Sequence, residues 1–225
     1  MSALDHVVLA LPFRGTWLAR NSPARRVPSH GTDLFATTYA IDFIAVRGWR
    51  TATTRDWRAL LSTEPVERFF AFGQPILAPA TGRVVLVHDG EADHVARRSQ
   101  LARVPYALTQ AARVRGGAGA LAGNHVILEL EDHGGYAVLA HLRAGSIQVT
   151  EGESVVAGAE LAACGNSGNS TQPHVHVQAM DAEDPFTARG LPMSFRGYRV
   201  WPQRGRSPVV VDKGIPNESE VVEPL

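Results

Sequence analysis

Short β-type runs punctuated by glycine and proline dominate this chain and set the fold class open to it. The run Tyr39 to Val46 is rich in aromatic and β-branched residues and stops before Arg47-Gly48. Pro75 to Val87 reads as strand, turn at Ala80-Thr81-Gly82, strand. Further strands are expected at Val7 to Leu11, Asn124 to Leu130, Tyr136 to His141, Ser146 to Val149, Ser154 to Ala157 and His174 to Ala179. Turn signals at Gly134-Gly135, Glu151-Gly152 and Gly158 separate them at the spacing of an all-β sandwich or barrel. The expected fold class is therefore all-β, mainly antiparallel strands in a two-sheet sandwich, with short helical insertions.

Two segments break the rhythm. Arg55 to Phe72 carries the helical spacing Trp57, Leu60, Leu61 before Pro65, and Glu91 to Val114 holds a polar stretch followed by Tyr106, Leu108, Ala111 and Ala112. Both read as partly helical insertions, the second closed by the flexible joint Gly116 to Gly119. The ending Pro216 to Leu225 reads as an exposed or partner-packed tail.

Composition narrows the chemistry. The 225 residues hold 22 basic and 22 acidic groups and have no net charge, which argues against nucleic acid as a partner. No apolar stretch is long enough to insert in a membrane. The N-terminus lacks a basic region and its apolar run is broken by Pro12, so no export signal is expected, a cytoplasmic signature. Lys213 is the only lysine, which removes lipoyl or biotinyl attachment at a hairpin tip, although Val149 to Leu161 resembles the turns of such carrier domains. Nine histidines stand against a single cysteine, Cys164, so any zinc site here is built from imidazole and carboxylate rather than paired thiolates.

The strongest local pattern is the stretch Cys164 to Val177, which ends in Pro173-His174-Val175-His176-Val177. Side chains at i and i+2 of a strand share a face, so His174 and His176 project together while Val175 and Val177 face the opposite layer. A catalytic zinc takes about three N or O ligands and keeps a position open for water, so the pair needs company. His30 sits in the turn Ser29-His30-Gly31. Asp42 lies between Ile41 and Phe43, where a carboxylate is solvated, paired or bound to metal because an unpaired buried charge is too costly. His141 ends the run Tyr136 to Leu142. His6, His125 and His133 read as background, and the acidic turn Asp89 to His94 as a solvated surface feature.

Taken together and in order, His30, Tyr39-Ala-Ile-Asp42-Phe43, Leu139-Ala-His141-Leu142 and Gly165 to His176 resemble the lysostaphin-like, or LytM-type, zinc metalloendopeptidases that cut peptidoglycan peptides. The likeness extends over roughly Val27 to Gln178 and includes the framework stretches Gly73 to Val85, Gly123 to Leu128 and Gly145 to Leu161. It implies a duplicated-hybrid-motif type sandwich and one Zn²⁺ per chain, held by His30, Asp42 and His176. His141 and His174 would flank the attacking water as catalytic residues, with His141 as base. It further implies a hydrolase acting on a peptidoglycan stem peptide or cross-bridge, located at the cell wall or outside the cell. Members that have lost ligands serve as non-catalytic cell-wall-binding or regulatory modules, and here no ligand is missing. The expected organisation is an N-terminal strand and lead-in over 1–26, a metallopeptidase domain over 27–180 with insertions at 47–72 and 90–123, and a C-terminal extension over 181–225 packed on the domain or partly exposed. The insertions are expected to wall the substrate groove. Two features depart from the family pattern: eleven residues separate His30 from Asp42 where four apart is usual, and Leu139 stands where a tyrosine is common.

Overall fold

The computed structural model describes residues 6–53, 62–97, 117–132, 134–202 and 207–225, with His133 and the expected helices at Trp57–Leu61 and Tyr106–Ala112 outside them. The chain is all-β, as the runs predict. One sheet has twelve strands, in the order β1 (Val7–Ala10), β12 (Met193–Trp201), β14 (Val221–Pro224), β2 (Trp17–Arg20), β3 (Ile41–Ala45), β10 (Val175–Met180), β7 (Tyr136–Leu142), β6 (Asn124–Leu130), β5 (Gly82–His88), β8 (Ser154–Val155). Off this path, β11 (Gly190–Leu191) pairs with β10 and β13 (Val209–Gly214) with β12. The second sheet is the pair β4 (Pro75–Leu77) and β9 (Glu160–Ala163). The strands pair antiparallel except β1 with β12.

Alternation decides which side of the large sheet is core. Ile41 and Phe43 on β3, Val175 and Val177 on β10, Leu139 on β7 and Val126 and Leu128 on β6 join Ile76, Leu161 and Ala162 of the small sheet in one apolar cluster. Their neighbours Asp42, His176 and Ile127 therefore face the other way. On that second face Ile127, Val138, Ala140, Met180 and Ala36 form a smaller cluster, and next to it the polar residues gather.

Several local expectations change. Ser146 to Val149 is not a strand: the Ser146 hydroxyl accepts from the Ala163 amide at 3.0 Å, and Gln148 N donates to Leu161 O at 2.8 Å without a continuing ladder. The C-terminal segment joins the large sheet through β14. Val221 and Val222 are buried between β12, from the same end of the chain, and β2, from the opposite end. The Ala52–Phe69 and Glu64–Ala96 bridges gather Ala52, Phe69 and Ala96 into a separate apolar cluster. Among the described residues, no helix is long and apolar enough to cross a membrane.

Candidate metal centre

Three adjacent strands set the geometry. In the antiparallel register His176 stands opposite Asp42 on one side and opposite Ala140 on the other, so residues 42, 140 and 176 share the face away from the main core. Asp42 is buried yet not solvated. His176 Nδ1 lies 2.9 Å from its Oδ1, His30 Nε2 lies 3.2 Å from Oδ2, and His174 Nε2 lies 3.6 Å from Oδ1. One ligand atom from each of His30, Asp42 and His176 falls within 4.8 Å of the other two, a group able to hold a metal ion.

His30 reaches this place through a closed loop. The Ser29 amide donates to Thr38 O at 2.9 Å, and the Ser29 hydroxyl donates to Thr37 O at 3.2 Å. These bonds bring the two ends of the excursion together four residues before Asp42, and so absorb the long spacing seen in the sequence. Within the loop Phe35 and Ala36 take left-handed backbone angles, φ 58° and 60°.

His141 arrives by a different device. Alternation along β7 would turn it to the core side with Leu139, but the pairing with β6 shifts register between Asn124 and Val126, so that two β7 residues, 140 and 141, oppose one. His141 sits in this bulge at φ 61°, an uncommon angle for a residue other than glycine, and its side chain turns into the pocket. Leu139 stays fully buried in the main core. The rings of His141 and His174 lie 4.6 Å apart between centroids, and those of His30 and His176 4.9 Å.

Outer partners decide which nitrogen of each ring is free. Gln178 donates from Nε2 to Phe35 O at 2.8 Å, so its Oε1 is left to accept from His176 Nε2–H at 2.9 Å, and the His176 Nδ1 lone pair points at Asp42. The Ser29 hydroxyl, already donating to Thr37 O, accepts from His30 Nδ1–H at 3.0 Å, which directs the His30 Nε2 lone pair at the same carboxylate. His141 Nδ1–H donates to Ser167 O at 3.0 Å and His174 Nδ1–H to Gln172 O at 2.8 Å, leaving both Nε2 atoms toward the pocket. Gln178 was absent from the sequence-based site, although the i, i+2 rule that singled out His174 and His176 extends to it.

Burial is the first influence on Asp42, His30, His141 and His174. It pushes Asp42 up, but the charges of His30 and His174, and the hydrogen bonds that His176 and His30 donate when protonated on the nitrogens facing it, hold its carboxyl well below the usual range. It pushes His30 down, yet the Asp42 charge and hydrogen bond leave that imidazole raised. His141 falls well below its ordinary value through burial and the neighbouring His174 and His176, and His174 falls through burial against the pull of Asp42. Two imidazole lone pairs directed at one buried carboxylate are satisfied by protons or by a cation among them. The nitrogen and oxygen donor set fits Zn²⁺.

The pocket around these groups has a volume of about 470 Å³. Of the two insertions expected to wall it, 90–123 contributes Leu121 and Ala122 and the described part of 47–72 contributes none. Leu121 is carried by the short helix α1 (Gly117–Ala122), and Thr32, Leu34 and Phe35 of the His30 loop and Pro185 complete the lining. His125 also lines the pocket rather than lying in the background, its ring stacked on His88 at 5.3 Å and its Nδ1–H donated to Gly123 O at 2.7 Å. The acidic turn is tied in rather than solvated: Asp93 accepts from Asn166 N at 2.6 Å and Ala144 N at 3.1 Å, clamping the loop that leads to His174. The small residues of that loop serve the backbone, since a Cβ on Gly168 would collide with the Gly123 backbone. Cys164 is fully buried and burial raises its thiol far up, so it is a packed hydrophobe and no nucleophile.

Residues 66–188 match the sequence model of a protein family described as Peptidase family M23. Among solved structures, the chain is similar to the catalytic domain of the antimicrobial peptidase lysostaphin from Staphylococcus simulans, at 19% identity, covering 68% of this chain and 74% of that one, with a TM-score of 0.38. A mutant catalytic domain of the prophage-encoded M23 protein EnpA from Enterococcus faecalis matches at 20% identity over 68% and 73%, TM-score 0.39. A zinc-containing peptidase from Vibrio cholerae matches at 20% identity over 54% and 28%, TM-score 0.34. No curated protein matches.

Proposed function

The chain belongs to peptidase family M23, and from that membership we propose that it is a zinc-dependent endopeptidase hydrolysing peptide bonds in the stem peptides or cross-bridges of peptidoglycan, acting at the cell wall. The observation that carries this reading is the convergence of the His30 Nε2 and His176 Nδ1 lone pairs on the buried Asp42 carboxylate, beside two further imidazoles whose Nε2 atoms face the same pocket.

His30, Asp42 and His176 would hold one Zn²⁺ per chain, and the bound ion supplies Lewis-acid polarisation of the scissile carbonyl and a lowered pKa for a coordinated water. His141, with Nδ1–H committed to Ser167 O, offers its Nε2 lone pair as the proton acceptor for the attacking water. His174 turns its Nε2 to the same pocket, 3.6 Å from Asp42 Oδ1, where a proton taken up during the reaction could be shared with the negative charge that develops on the substrate oxygen. The loop closure at Ser29–Thr38 and the amide of Gln178 keep the two imidazole ligands aimed during the cycle. β2 and β14 continue the sheet from β3, the strand that carries Asp42.

Metal analysis of the purified protein, followed by incubation with purified cell walls and soluble muropeptides and mass spectrometry of the products, tests the proposal. One zinc per chain and new peptide termini are expected. Zinc with binding to walls but no cleavage indicates a non-catalytic wall-binding module, and a parent protein that retains no zinc overturns the metal site itself.

A further inference from the structure

The carboxylate of an aspartate turns easily, because its terminal torsion is broad and two-fold rather than locked in a staggered well. Asp42 therefore needs a fixed partner on one oxygen if the other is to stay aimed at the imidazoles. Asn21 provides it: its Nδ2 donates to Asp42 Oδ2 at 2.7 Å, leaving Oδ1 toward His176 at 2.9 Å and His174 at 3.6 Å. Asn21 follows Arg20, which stands opposite Asp42 in the β2–β3 register, and it takes a left-handed backbone angle, φ 50°, that asparagine tolerates better than most residues.

What fixes that turn comes from the other end of the chain. The Ser22 amide donates to Glu218 Oε2 at 3.0 Å, and the fully buried Ser22 hydroxyl donates to Pro216 O at 2.5 Å. On the other side of Asn21, Ser219 N donates to Ala19 O at 2.9 Å and Ala19 N to Glu220 O at 2.8 Å. Glu218 Oε1 also draws the Arg20 guanidinium to 3.1 Å, and Arg25 lies at 3.8 Å. That contact matters for charge, since Arg20 shares the face of Asp42, and a guanidinium seated on the carboxylate would compete with a metal cation.

We propose that Asn21 is a positioning residue for Asp42, and that the C-terminal segment Pro216–Glu220, through Glu218, holds Asn21 in place and keeps Arg20 off the carboxylate. Both elements lie outside residues 66–188, so the metal centre depends on the two ends of the chain as well as on its middle. The inference rests on reading Asp42 as a metal ligand.

The test uses the full chain, with zinc affinity read by chelator competition and thermal midpoints taken on metal-free protein. Asn21→Gly keeps the left-handed turn and removes only the amide. It is expected to weaken zinc binding by about 10- to 100-fold, the usual effect of losing an outer partner of a metal ligand, with the metal-free midpoint close to that of the parent. Glu218→Ala is expected to weaken zinc binding in the same direction by a smaller factor, and Arg20→Ala added to it to restore part of the loss. Parent-like zinc affinity in Asn21→Gly overturns the positioning role while leaving the metal site standing. Loss in Asn21→Gly with none in Glu218→Ala overturns the role of the C-terminal segment. A parent that binds no zinc overturns both the inference and the metal reading beneath it.

Discussion

On one side of the pocket Asp42, His176 and Gln178 are aligned by β3 and β10, where strand register fixes position, and His174 stands one residue before β10. On the other, His30 is carried by a loop whose ends meet at Ser29 and Thr38. The strand-borne half inherits its precision from paired backbone: moving His176 relative to Asp42 means breaking the ladder that also holds Val175 and Val177 in the core. The loop-borne half is set by two hydrogen bonds and the packing of a short irregular turn. If it holds the proposed zinc, a site assembled this way has a rigid seat and one adjustable ligand, and the two halves should respond differently when their outer partners are removed.

The largest difference should come from the strand-borne side, at His141. Asparagine there tolerates the left-handed angle at φ 61° and can still donate to Ser167 O, so His141→Asn removes the proposed proton acceptor while sparing the backbone. The expected outcome is a fall in kcat of about 10²- to 10⁴-fold. The thermal midpoint should stay within about 2 °C of the parent. A midpoint that drops along with kcat would mean that the imidazole is there to hold the bulge together.

The same residue shows why part of the site is invisible in a sequence. The pair His174, His176 is readable from strand alternation alone, and alternation also explains why Asp42 faces away from Ile41 and Phe43. Applied to β7, that rule puts His141 on the wrong face, because the extra residue belongs to the pairing between β6 and β7 and leaves no mark in the composition of either. His30 poses the opposite problem: eleven residues to Asp42 look like a misfit until the Ser29–Thr38 bond closes the excursion. The fold class follows from the Gly and Pro punctuation, yet β14 is hidden in a stretch rich in Glu and Pro whose strand partners are Trp17 and Leu18 at the far end of the chain. Local pattern predicts elements; partners brought from a distance decide which of those elements are buried and what they support.

Gln178 gives the second test on the strand-borne side. It is buried, anchored to Phe35 O, and accepts the Nε2 proton of His176, so Gln178→Ala frees the ring to present the wrong nitrogen. Zinc affinity, read by chelator competition, should fall about 10- to 100-fold. Gln178→Glu, which keeps an acceptor at the same place, should lie between the alanine variant and the parent. An alanine variant with parent-like affinity would show that strand register alone fixes the tautomer.

Ser29→Ala makes the matching change on the loop-borne side and should have the smallest effect of the three. It removes the acceptor for His30 Nδ1–H and the donor to Thr37 O, but the backbone bond from Ser29 N to Thr38 O survives, and so does the Asp42 charge that holds the His30 ring. Ser29 is 1% exposed, so no water replaces the lost hydroxyl without rearrangement. A single neutral hydrogen bond contributes about 1 kcal/mol, which corresponds to zinc affinity lower by about 3- to 10-fold. If Ser29→Ala weakens zinc as much as Gln178→Ala does, the closed loop is as exacting a support as the sheet, and the contrast between a register-fixed seat and an adjustable ligand fails. If it has no effect at all, the backbone closure positions His30 by itself, and the tolerance of this site for a long excursion before Asp42 follows directly from that one bond.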